Sequence, residues 1–299
     1  MGKLLICDPV DASAIDEMRA AGIDVDVRDD ITPAALAEII GGYDGIVVRS
    51  RTKVGADLID RGTALKVIIR GGAGLDTIDV VHARTKGISV QNTPAANSNA
   101  VVELALGMML SLARHIDRAD TGMKAGKWEK KTLEGTEIEG KTLGVVGYGR
   151  IGRMLGEKAK ALGMTVLAFD PFVEHPDIVP LDTLLAHADY ISVHVPLNKE
   201  TANLLDADAF AKMKDGVFLV QASRGGTVNE AALYEALVSG KVAGAGIDVF
   251  SEEPPKSEAL QQLVALPQVI ATPHIGAATE EALARVGGEI VKLAKAALA

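Results

Sequence analysis

Three glycines in the middle of the chain have the spacing that a dinucleotide-binding turn requires. Residues 141–152 read KTLGVVGYGRIG, so that Gly147, Gly149 and Gly152 follow a short apolar run. The first glycine permits a tight turn, the second lets the backbone approach a pyrophosphate, and the third allows a helix to pack closely. The amide groups that begin the next helix, predicted over 150–162, would donate hydrogen bonds to that anion. The run predicts a dinucleotide site, and an ordinary glycine-rich turn is the alternative.

An aspartate follows the next apolar run and bears on the choice of cofactor. Residues 165–169 read TVLAF and end at Asp170, 18 residues after Gly152. A carboxylate at this place accepts hydrogen bonds from a ribose hydroxyl and repels a 2′-phosphate. The next residues, Pro171 and Phe172, provide no arginine for such a phosphate. The sequence therefore predicts NAD rather than NADP.

Three polar residues lie just past predicted strands in the second half of the chain. Arg224 is in QASRGG, Glu253 in DVFSEEPP and His274 in ATPHIGA. Open α/β sheets bind ligands at the carboxyl ends of their strands. A histidine can remove a hydroxyl proton, a carboxylate beside it favours the imidazolium, and an arginine can bind a carboxylate bidentately. Taken singly, each residue also has a structural interpretation. Arg224 could be a solvated loop charge, Glu253 could form a helix-start or turn pair with Glu252, and His274 could be a histidine bonded to backbone near a helix.

The other histidines and the single cysteine are predicted to be structural. Cys7 lies in an apolar run, where a buried and inert thiol is expected. No spacing of histidine and cysteine matches a metal site, so no metal is predicted. The histidines assigned to structure are His82, His115, His175, His187 and His194.

Composition excludes several classes of function. The net charge is −9 and only 3% of the 299 residues are aromatic, which argues against a nucleic-acid surface. The most membrane-like segment, residues 100–113, carries Glu103 and is shorter than the roughly 20 apolar residues of a spanning helix. The N-terminus lacks a signal-peptide pattern, so we expect a cytoplasmic protein that acts on a small molecule.

Apolar strand-like runs alternate with helical patterns along the whole chain, which is typical of parallel sheets with crossover helices. In the first part, strands are predicted at 3–7, 25–27, 45–48, 67–69 and 89–91, with helices at 12–21, 33–40, 56–61 and 80–86. A very apolar helix is predicted over 97–116, buried all round between layers or against another subunit. Later strands are predicted at 165–169, 190–195, 216–221, 243–247 and 269–271, and a last helix at 280–298.

The pattern also predicts how the chain divides into domains. No low-complexity linker separates the two α/β parts, and the last helix follows the final strand of the second part. We therefore expect residues 97–274 to form the NAD-binding domain. Residues 1–96 and 275–299 would form a discontinuous substrate-binding domain, with a cleft and a hinge between the domains.

Seven segments together resemble the D-isomer-specific 2-hydroxyacid dehydrogenase family over nearly the full length. They are VRSRTKV (48–54), RGGAGLD (70–76), NTPAANS (92–98), GKTLGVVGYGRIG (140–152), ASRGG (222–226), DVFSEEP (248–254) and PHIGA (273–277). The resemblance implies an α/β fold of two doubly wound parallel-sheet domains, a Rossmann-like NAD domain and a flavodoxin-like substrate domain. It also implies NAD as the cofactor and a homodimer formed through the NAD domain.

The resemblance implies roles for individual residues. Arg224, Glu253 and His274 would be catalytic, with Glu253 rather than Glu252 facing the histidine. The implied cofactor contacts are Arg150, Ile151, Asp170, Ala222, Arg224, Asp248, His274 and Ala277. Relatives often have a cofactor-contacting threonine where this sequence has Ala73 and Val195, so those hydroxyl contacts are lost. Longer members carry a C-terminal regulatory domain that is not in this sequence, so serine feedback through it is not expected.

The first domain suggests the substrate, because basic residues cluster at two predicted strand ends: Arg49, Arg51, Lys53 and Arg70. The adjacent loop can offer a carboxylate the backbone N–H groups of Gly72, Ala73 and Gly74. Arg49 and Arg70 are the candidate ligands for a doubly anionic substrate. Solvated loop-end charges are the alternative, and they are favoured for Arg51 and Lys53.

The expected reaction is the NAD-dependent oxidation of D-3-phosphoglycerate to 3-phosphohydroxypyruvate, which begins serine synthesis, with His274 as the general base. Two alternatives remain open. One is the reduction of glyoxylate or hydroxypyruvate by an enzyme of the same family. The other is a noncatalytic protein that binds NAD(H) as a sensor.

Overall fold

The computed structural model describes residues 2–298 and divides into two compact units. One unit contains Met1–Ser98 and Ala277–Ala299, and the other contains Asn99–Gly276. Met1 and Ala299, which begin and end the predicted first domain, lie outside the described residues. Each unit is built on one parallel β-sheet, so the predicted α/β class is confirmed.

The first unit has the strand order of flavodoxin-like folds. Its strands are β1 (Lys3–Ile6), β2 (Asp24–Val27), β3 (Gly45–Val48), β4 (Val67–Arg70) and β5 (Ser89–Asn92). They pair in the order β2-β1-β3-β4-β5. The helices between them are α1 (Ala12–Ala20), α2 (Pro33–Ile39), α3 (Ala56–Arg61) and α4 (Val80–Thr85). Because both faces of the sheet are covered, the central strand β3 is buried along its whole length.

The second unit has a six-stranded sheet of the Rossmann type. Its strands are β6 (Thr142–Val146), β7 (Thr165–Phe169), β8 (Tyr190–Val193), β9 (Val217–Gln221), β10 (Val242–Ile247) and β11 (Val269–Ala271). They pair in the order β11-β10-β9-β8-β6-β7, so the direction of winding reverses between β6 and β8. Such a reversal opens a ligand-binding crevice at the carboxyl ends of the strands. Outside β7, a further strand is reduced to the single bridge between Ala168 and Ile178.

The helices of the second unit correct the predicted end of the apolar helix. They are α5 (Ser98–Arg114), α6 (Ile116–Lys124), α7 (Arg150–Ala161), α8 (Leu181–His187), α9 (Ala207–Lys212), α10 (Glu230–Val238) and α11 (Glu258–Val264). The helix predicted over 97–116 stops earlier, because His115 takes a left-handed backbone with φ of 53°. It is also not buried all round within the chain. Its exposed stripe, spaced at three or four residues, is Glu103, Gly107, Leu110 and Arg114.

The strand predicted over 190–195 is also shorter than expected. It ends at Val193, so His194 and Val195 lie in the following loop, just before Pro196. A residue that precedes proline is conformationally restricted, and proline has no N–H for a sheet. The change places His194 at the carboxyl end of β8, where its N–H still donates to the carbonyl of Val146 at 2.7 Å.

The last helix, α12 (Glu280–Leu298), belongs to the first unit. Its apolar face packs against α1 and the sheet, with Val286 and Ile290 buried in the same cluster as Leu4 and Ile69. A Cβ on Gly287 would lie 2.9 Å from the Cβ of Ala14, which shows how closely the two helices approach.

Candidate active site

The three glycines of the predicted turn have the conformations that their spacing suggests. Gly147 has φ of 94°, and a Cβ there would lie 2.7 Å from the carbonyl carbon of His194. A Cβ on Gly152 would overlap the carbonyl oxygen of Gly147. Gly149 differs, because a Cβ there would meet no atom within 4 Å. The backbone is therefore packed tightly on one side of the turn and open at Gly149, as the approach of a pyrophosphate requires.

The start of α7 is suited to an anion. Gly149 is the N-cap residue, and no side chain caps the helix there. Arg150 is exposed and Ile151 is half-buried. The first N–H groups of a helix carry partial positive charge and lack partners within the helix. The residues present thus fit the pyrophosphate of a dinucleotide.

Asp170 lies beside this turn. One oxygen of its carboxylate accepts a hydrogen bond from the N–H of Tyr148 at 2.9 Å, and the other accepts from the N–H of Phe172 at 3.0 Å. Each carboxylate oxygen can accept more than one hydrogen bond, so the group can still accept from a ribose diol. The structure brings the glycine turn and the predicted ribose acceptor together.

His274 and Glu253 form a pair in the second unit. The ring Nδ1 of His274 lies 2.8 Å from Oε2 of Glu253, and both side chains are 39% exposed. The other oxygen of Glu253 accepts from the N–H of Phe250 at 3.2 Å. Glu252 instead accepts from the N–H of Ser257. The structure therefore pairs Glu253, not Glu252, with the histidine, and Nε2 is the nitrogen left to exchange a proton with a substrate.

A buried carboxylate holds the loop that carries His274. Asp248 is only 1% exposed and accepts hydrogen bonds from Thr272 Oγ1 at 2.5 Å, Ile275 N at 2.8 Å and Gly276 N at 2.8 Å. The backbone N–H of His274 donates to the carbonyl of Asp248 at 2.9 Å. Sequence reasoning offered Asp248 only as a cofactor contact and missed that it organises this loop. Its place directly after a strand was the available signal.

Arg224 lies on the loop after β9. Its carbonyl accepts from Gln221 Nε2 and Thr227 Oγ1, both at 2.9 Å, and these two side chains are buried. Its own Nη1 donates to the carbonyl of Ser223 at 2.7 Å. A Cβ on Gly225 would overlap the carbonyl of Phe250, so this loop packs against the one that carries Glu253.

The three candidate catalytic residues are thus on loops that follow three adjacent strands, β9, β10 and β11. Two of the predicted cofactor contacts lie at the ends of these segments. Ala222 follows β9 directly and is nearly buried, at 9% exposure. Ala277 is half-buried and begins the second segment of the first unit.

The basic residues of the first unit separate into two kinds. Arg51 is held by Oδ1 of Asp8 at 2.9 Å and by the carbonyls of Cys7, Asp29 and Ile31. Arg51 was expected to be a solvated loop-end charge, but its guanidinium is instead bound by these protein groups. Burial lowers the pKa of Arg49, although the charge of nearby Asp8 acts to raise it. The Nη1 of Arg49 donates a long hydrogen bond to the carbonyl of Pro9, at 3.3 Å.

The predicted substrate loop lies beside Arg49 and Arg70. A Cβ on Gly71 would lie 3.3 Å from Cγ of Arg49, and a Cβ on Gly72 would overlap Nη1 of Arg70. The carbonyl of Ala73 accepts from Asn92 Nδ2 at 2.6 Å, which holds the loop next to Gly74. The structure brings both arginines to this loop, whereas Lys53 is simply exposed.

The described residues contain neither a metal cluster nor a membrane-spanning helix. Residues 2–298 contain no group of three or more histidine, cysteine, aspartate or glutamate side chains arranged to hold a metal ion. Across the same residues, no helix combines the length and apolar character needed to cross a membrane.

Comparison with known proteins identifies relatives of both the sequence and the fold. Residues 106–276 match the family described as D-isomer specific 2-hydroxyacid dehydrogenase, NAD binding domain. A hydroxypyruvate reductase of Thermotoga maritima is 52% identical over 261 residues, which cover 86% of this chain and 85% of the relative. A D-3-phosphoglycerate dehydrogenase of Archaeoglobus fulgidus is 46% identical over 98% of this chain, but the chain spans only 57% of its length.

Solved structures show the same architecture. The D-lactate dehydrogenase of Aquifex aeolicus, in complex with NAD and lactic acid, superposes with a TM-score of 0.87 at 29% identity. The match covers 98% of this chain and 94% of that one.

Proposed function

The chain belongs to the D-isomer specific 2-hydroxyacid dehydrogenase family, whose cofactor is NAD, and on this premise we propose that it oxidises D-3-phosphoglycerate to 3-phosphohydroxypyruvate. The observation that carries an alcohol oxidation is the 2.8 Å contact between His274 and Glu253 on the loops of adjacent strands. The observation that supports a phosphorylated substrate is the pair of arginines beside the glycine loop of the first unit.

In this reaction the C2 hydroxyl of the substrate loses its proton while the C2 hydrogen leaves as hydride. NAD, when bound, accepts that hydride. Nε2 of His274 takes the hydroxyl proton, and the carboxylate of Glu253 stabilises the resulting imidazolium. Arg224 binds the substrate carboxylate and polarises the oxygen that becomes the ketone. In the reverse direction the same imidazolium returns the proton.

The second unit supplies the cofactor site of this proposal. The pyrophosphate would lie on Gly147, Gly149 and the first amides of α7, and Asp170 would accept hydrogen bonds from the adenosine ribose. The further contacts proposed for the cofactor are Arg150, Ile151, Gly152, Ala222, Asp248 and Ala277.

The first unit supplies the specificity of this proposal. Arg49 and Arg70 would bind the phosphate, and the N–H groups of Gly72, Ala73 and Gly74 would add hydrogen bonds to the anion. Two guanidinium groups near one loop suit a phosphate better than a neutral hydroxymethyl group, because each charged hydrogen bond contributes about 1.5–3 kcal/mol.

Reduction of hydroxypyruvate is the second candidate, because the Thermotoga relative of that name matches over most of both chains. A panel of D-3-phosphoglycerate, 3-phosphohydroxypyruvate, glycerate, hydroxypyruvate and glyoxylate, followed by NADH absorbance, separates the candidates. We expect the phosphate to raise kcat/KM. A wild-type enzyme that is indifferent to the phosphate would favour the reductase. NADH binding with no turnover of any substrate would favour the noncatalytic alternative.

We also propose a homodimer formed through the NAD-binding unit. Leu110 on the exposed stripe of α5 is 39% exposed, and the chain beyond α5 exposes three more large apolar side chains, Ile116, Met123 and Trp128. Trp128 is 79% exposed, and exposed aromatic side chains and Met are enriched at interfaces. Sedimentation of wild type and of Trp128→Asp, with His187→Asp as a surface control, tests the proposal. A monomeric wild type at micromolar concentration would contradict it.

A further inference from the structure

The middle residue of the glycine turn is held by a buried hydrogen-bond network. Tyr148 lies between Gly147 and Gly149 and is 2% exposed. Its hydroxyl donates to Oδ2 of Asp177 at 2.7 Å. A Cβ on Gly156 of α7 would lie 3.0 Å from that hydroxyl, so the phenol fits closely against the helix. The GxGxxG spacing places no constraint on this residue, and sequence reasoning assigned it no role.

Asp177 connects the glycine turn, through Tyr148, to the helix α7 and the strand β7. Its carboxylate accepts from Nζ of Lys160, on α7, at 2.6 and 2.8 Å. Its carbonyl accepts from the N–H of Ala168, on β7, at 2.8 Å. Asp177 directly precedes Ile178, whose single bridge to Ala168 is all that remains of a further strand beside β7.

Electrostatics keep the network in one protonation state. Burial opposes ionisation of Asp177, but the hydrogen bonds from Lys160 and Tyr148 lower its pKa overall. Burial and the same hydrogen bond raise the pKa of Tyr148. The carboxylate is the acceptor and the phenol the donor over the working range of pH. His175 adds an edge-on ring contact to Tyr148, with ring centroids 5.1 Å apart.

Tyr148 also contacts the predicted ribose acceptor, from its other end. Its backbone N–H donates to Oδ2 of Asp170 at 2.9 Å, while its hydroxyl is held by Asp177. The residue thus fixes the position of the glycine turn relative to the Asp170 carboxylate. In a dinucleotide site these two features bind adjacent groups of the cofactor, the pyrophosphate and the adenosine ribose.

We infer that Tyr148 and Asp177 are positioning residues for the adenosine half of NAD, acting through the glycine turn and Asp170. The inference rests on the NAD-dependent function proposed above. Without the network the turn is free to shift, and part of the binding free energy must then be used to order it. Cofactor affinity should fall while the proton-transfer pair is unaffected.

The test compares Tyr148→Phe and Asp177→Asn with wild type by NADH fluorescence titration and by calorimetric titration with ADP-ribose. We expect Tyr148→Phe to weaken both ligands about 3- to 10-fold and Asp177→Asn about 10- to 100-fold, by the ranges for neutral and charged hydrogen bonds. Both probes should lose affinity equally, because ADP-ribose lacks only the nicotinamide. The KM for NAD should rise while kcat at saturating NAD stays within about twofold, on the same reasoning.

Asp215→Asn is the matched control, because Asp215 forms a 2.8 Å pair with Lys241 in the same unit and is 90% exposed. Unchanged affinity of a folded Tyr148→Phe protein, which keeps the ring, would overturn the inference. Equal losses in Asp215→Asn, or a fall in kcat at saturating NAD, would also overturn it. If wild type binds both probes but turns over no 2-hydroxy acid, the proposed function fails while the binding comparison still decides the inference.

Discussion

Each of the two units holds a functional loop with one buried aspartate. Asp8 follows β1 and Asp248 follows β10, and each is 1% exposed. Asp8 binds the loop after the neighbouring strand β3, through the N–H of Arg49 and the hydroxyl of Thr52. Asp248 binds the loop after its own neighbour, β11, through the N–H groups of Ile275 and Gly276. In both sheets, a buried aspartate that follows one strand binds the loop that follows the neighbouring strand.

The two carboxylates differ in the charge of their partners. Asp8 forms an ion pair with Arg51 at 2.9 Å, whereas Asp248 accepts its hydrogen bonds from a hydroxyl and backbone amides. In the proposed mechanism His274 becomes an imidazolium, and a cation on Asp248, in addition to Arg224, would disfavour that charged state. Neutral donors can hold that loop without this cost. The first loop has no such constraint in the proposed function, in which it presents positive charge to the substrate.

In the proposed function the second unit carries the proton-transfer pair, so the largest effect should follow from removing His274. His274→Ala should lower kcat by ~10²–10⁴, the usual contribution of a general acid or base. NADH affinity should stay close to wild type, because the glycine turn and Asp170 are untouched. Steady-state kinetics and fluorescence titration check both parts.

His187→Ala is the matched control for this variant. His187 is an exposed histidine at the end of α8, and its ring bonds only to the carbonyl of Thr183 among the described residues. Near-normal turnover in His274→Ala would remove the histidine from the mechanism.

Acid should affect the two units differently, because the second contains a histidine, His194, whose pKa is lowered by desolvation. Burial lowers the pKa of His194 to about 4, and its Nδ1 has no hydrogen-bond partner within residues 2–298. In the unfolded chain the imidazole of His194 takes up a proton near pH 6.5, whereas in the folded chain it does so only near pH 4. The free energy of unfolding therefore has its full value above pH 6.5 and decreases as pH falls toward 4. The full loss is about 3 kcal/mol.

Hydrogen exchange at pH 7.5 and pH 5 measures this difference in each unit. Protection should fall with pH mainly in the second unit, which contains His194. His194→Gln should reduce the dependence on pH. Equal acid sensitivity of both units, unchanged by that variant, would contradict the prediction.

The arginines of the first unit test whether its loop recognises phosphate. Arg49→Ala or Arg70→Ala should lower kcat/KM for 3-phosphohydroxypyruvate ~10- to 100-fold, the value of a charged hydrogen bond. Hydroxypyruvate should be affected much less, because it has no phosphate to lose. Arg51→Ala should instead lower stability, since its guanidinium is already bound to Asp8. Equal losses for both substrates would support the reductase.

Replacing the two aspartates gives the smallest effects and the most direct test of the comparison. Asp8→Asn and Asp248→Asn should each lower the free energy of unfolding by about 1–3 kcal/mol, because an amide leaves a buried donor without an acceptor. Only Asp248→Asn should also lower kcat with an unphosphorylated substrate, since its loop carries His274. Urea unfolding and steady-state kinetics measure the two effects. An equal fall in kcat for both variants would contradict the proposal that the Asp248 loop serves catalysis and the Asp8 loop serves substrate binding.

Local signals explain which elements could be predicted. The strands were found to within two residues, because apolar runs in a doubly covered parallel sheet are continuous. No bounds were predicted for the helices α6 and α8 to α11. Two of them carried a usable signal, since Asp206 caps α9 and Asn229 caps α10 with their side chains. The end of α5 at His115 had no such signal in the sequence.

By itself, the sequence determined the two-sheet α/β class, the glycine turn with Asp170 beside it, and the set of polar residues at strand ends. These depend on spacing within about 30 residues, which periodicity and turn chemistry can reveal. Only the tertiary structure decided which groups meet. Asp248 with residues 272–276, Asp8 with Arg51 and Tyr148 with Asp177 are pairings between loops of different strands that nothing in the sequence indicated. Glu253 with His274 is a pairing of the same kind, which the family resemblance had implied. Strand order brings such loops together, and hydrogen-bond geometry then selects among the carboxylates within reach.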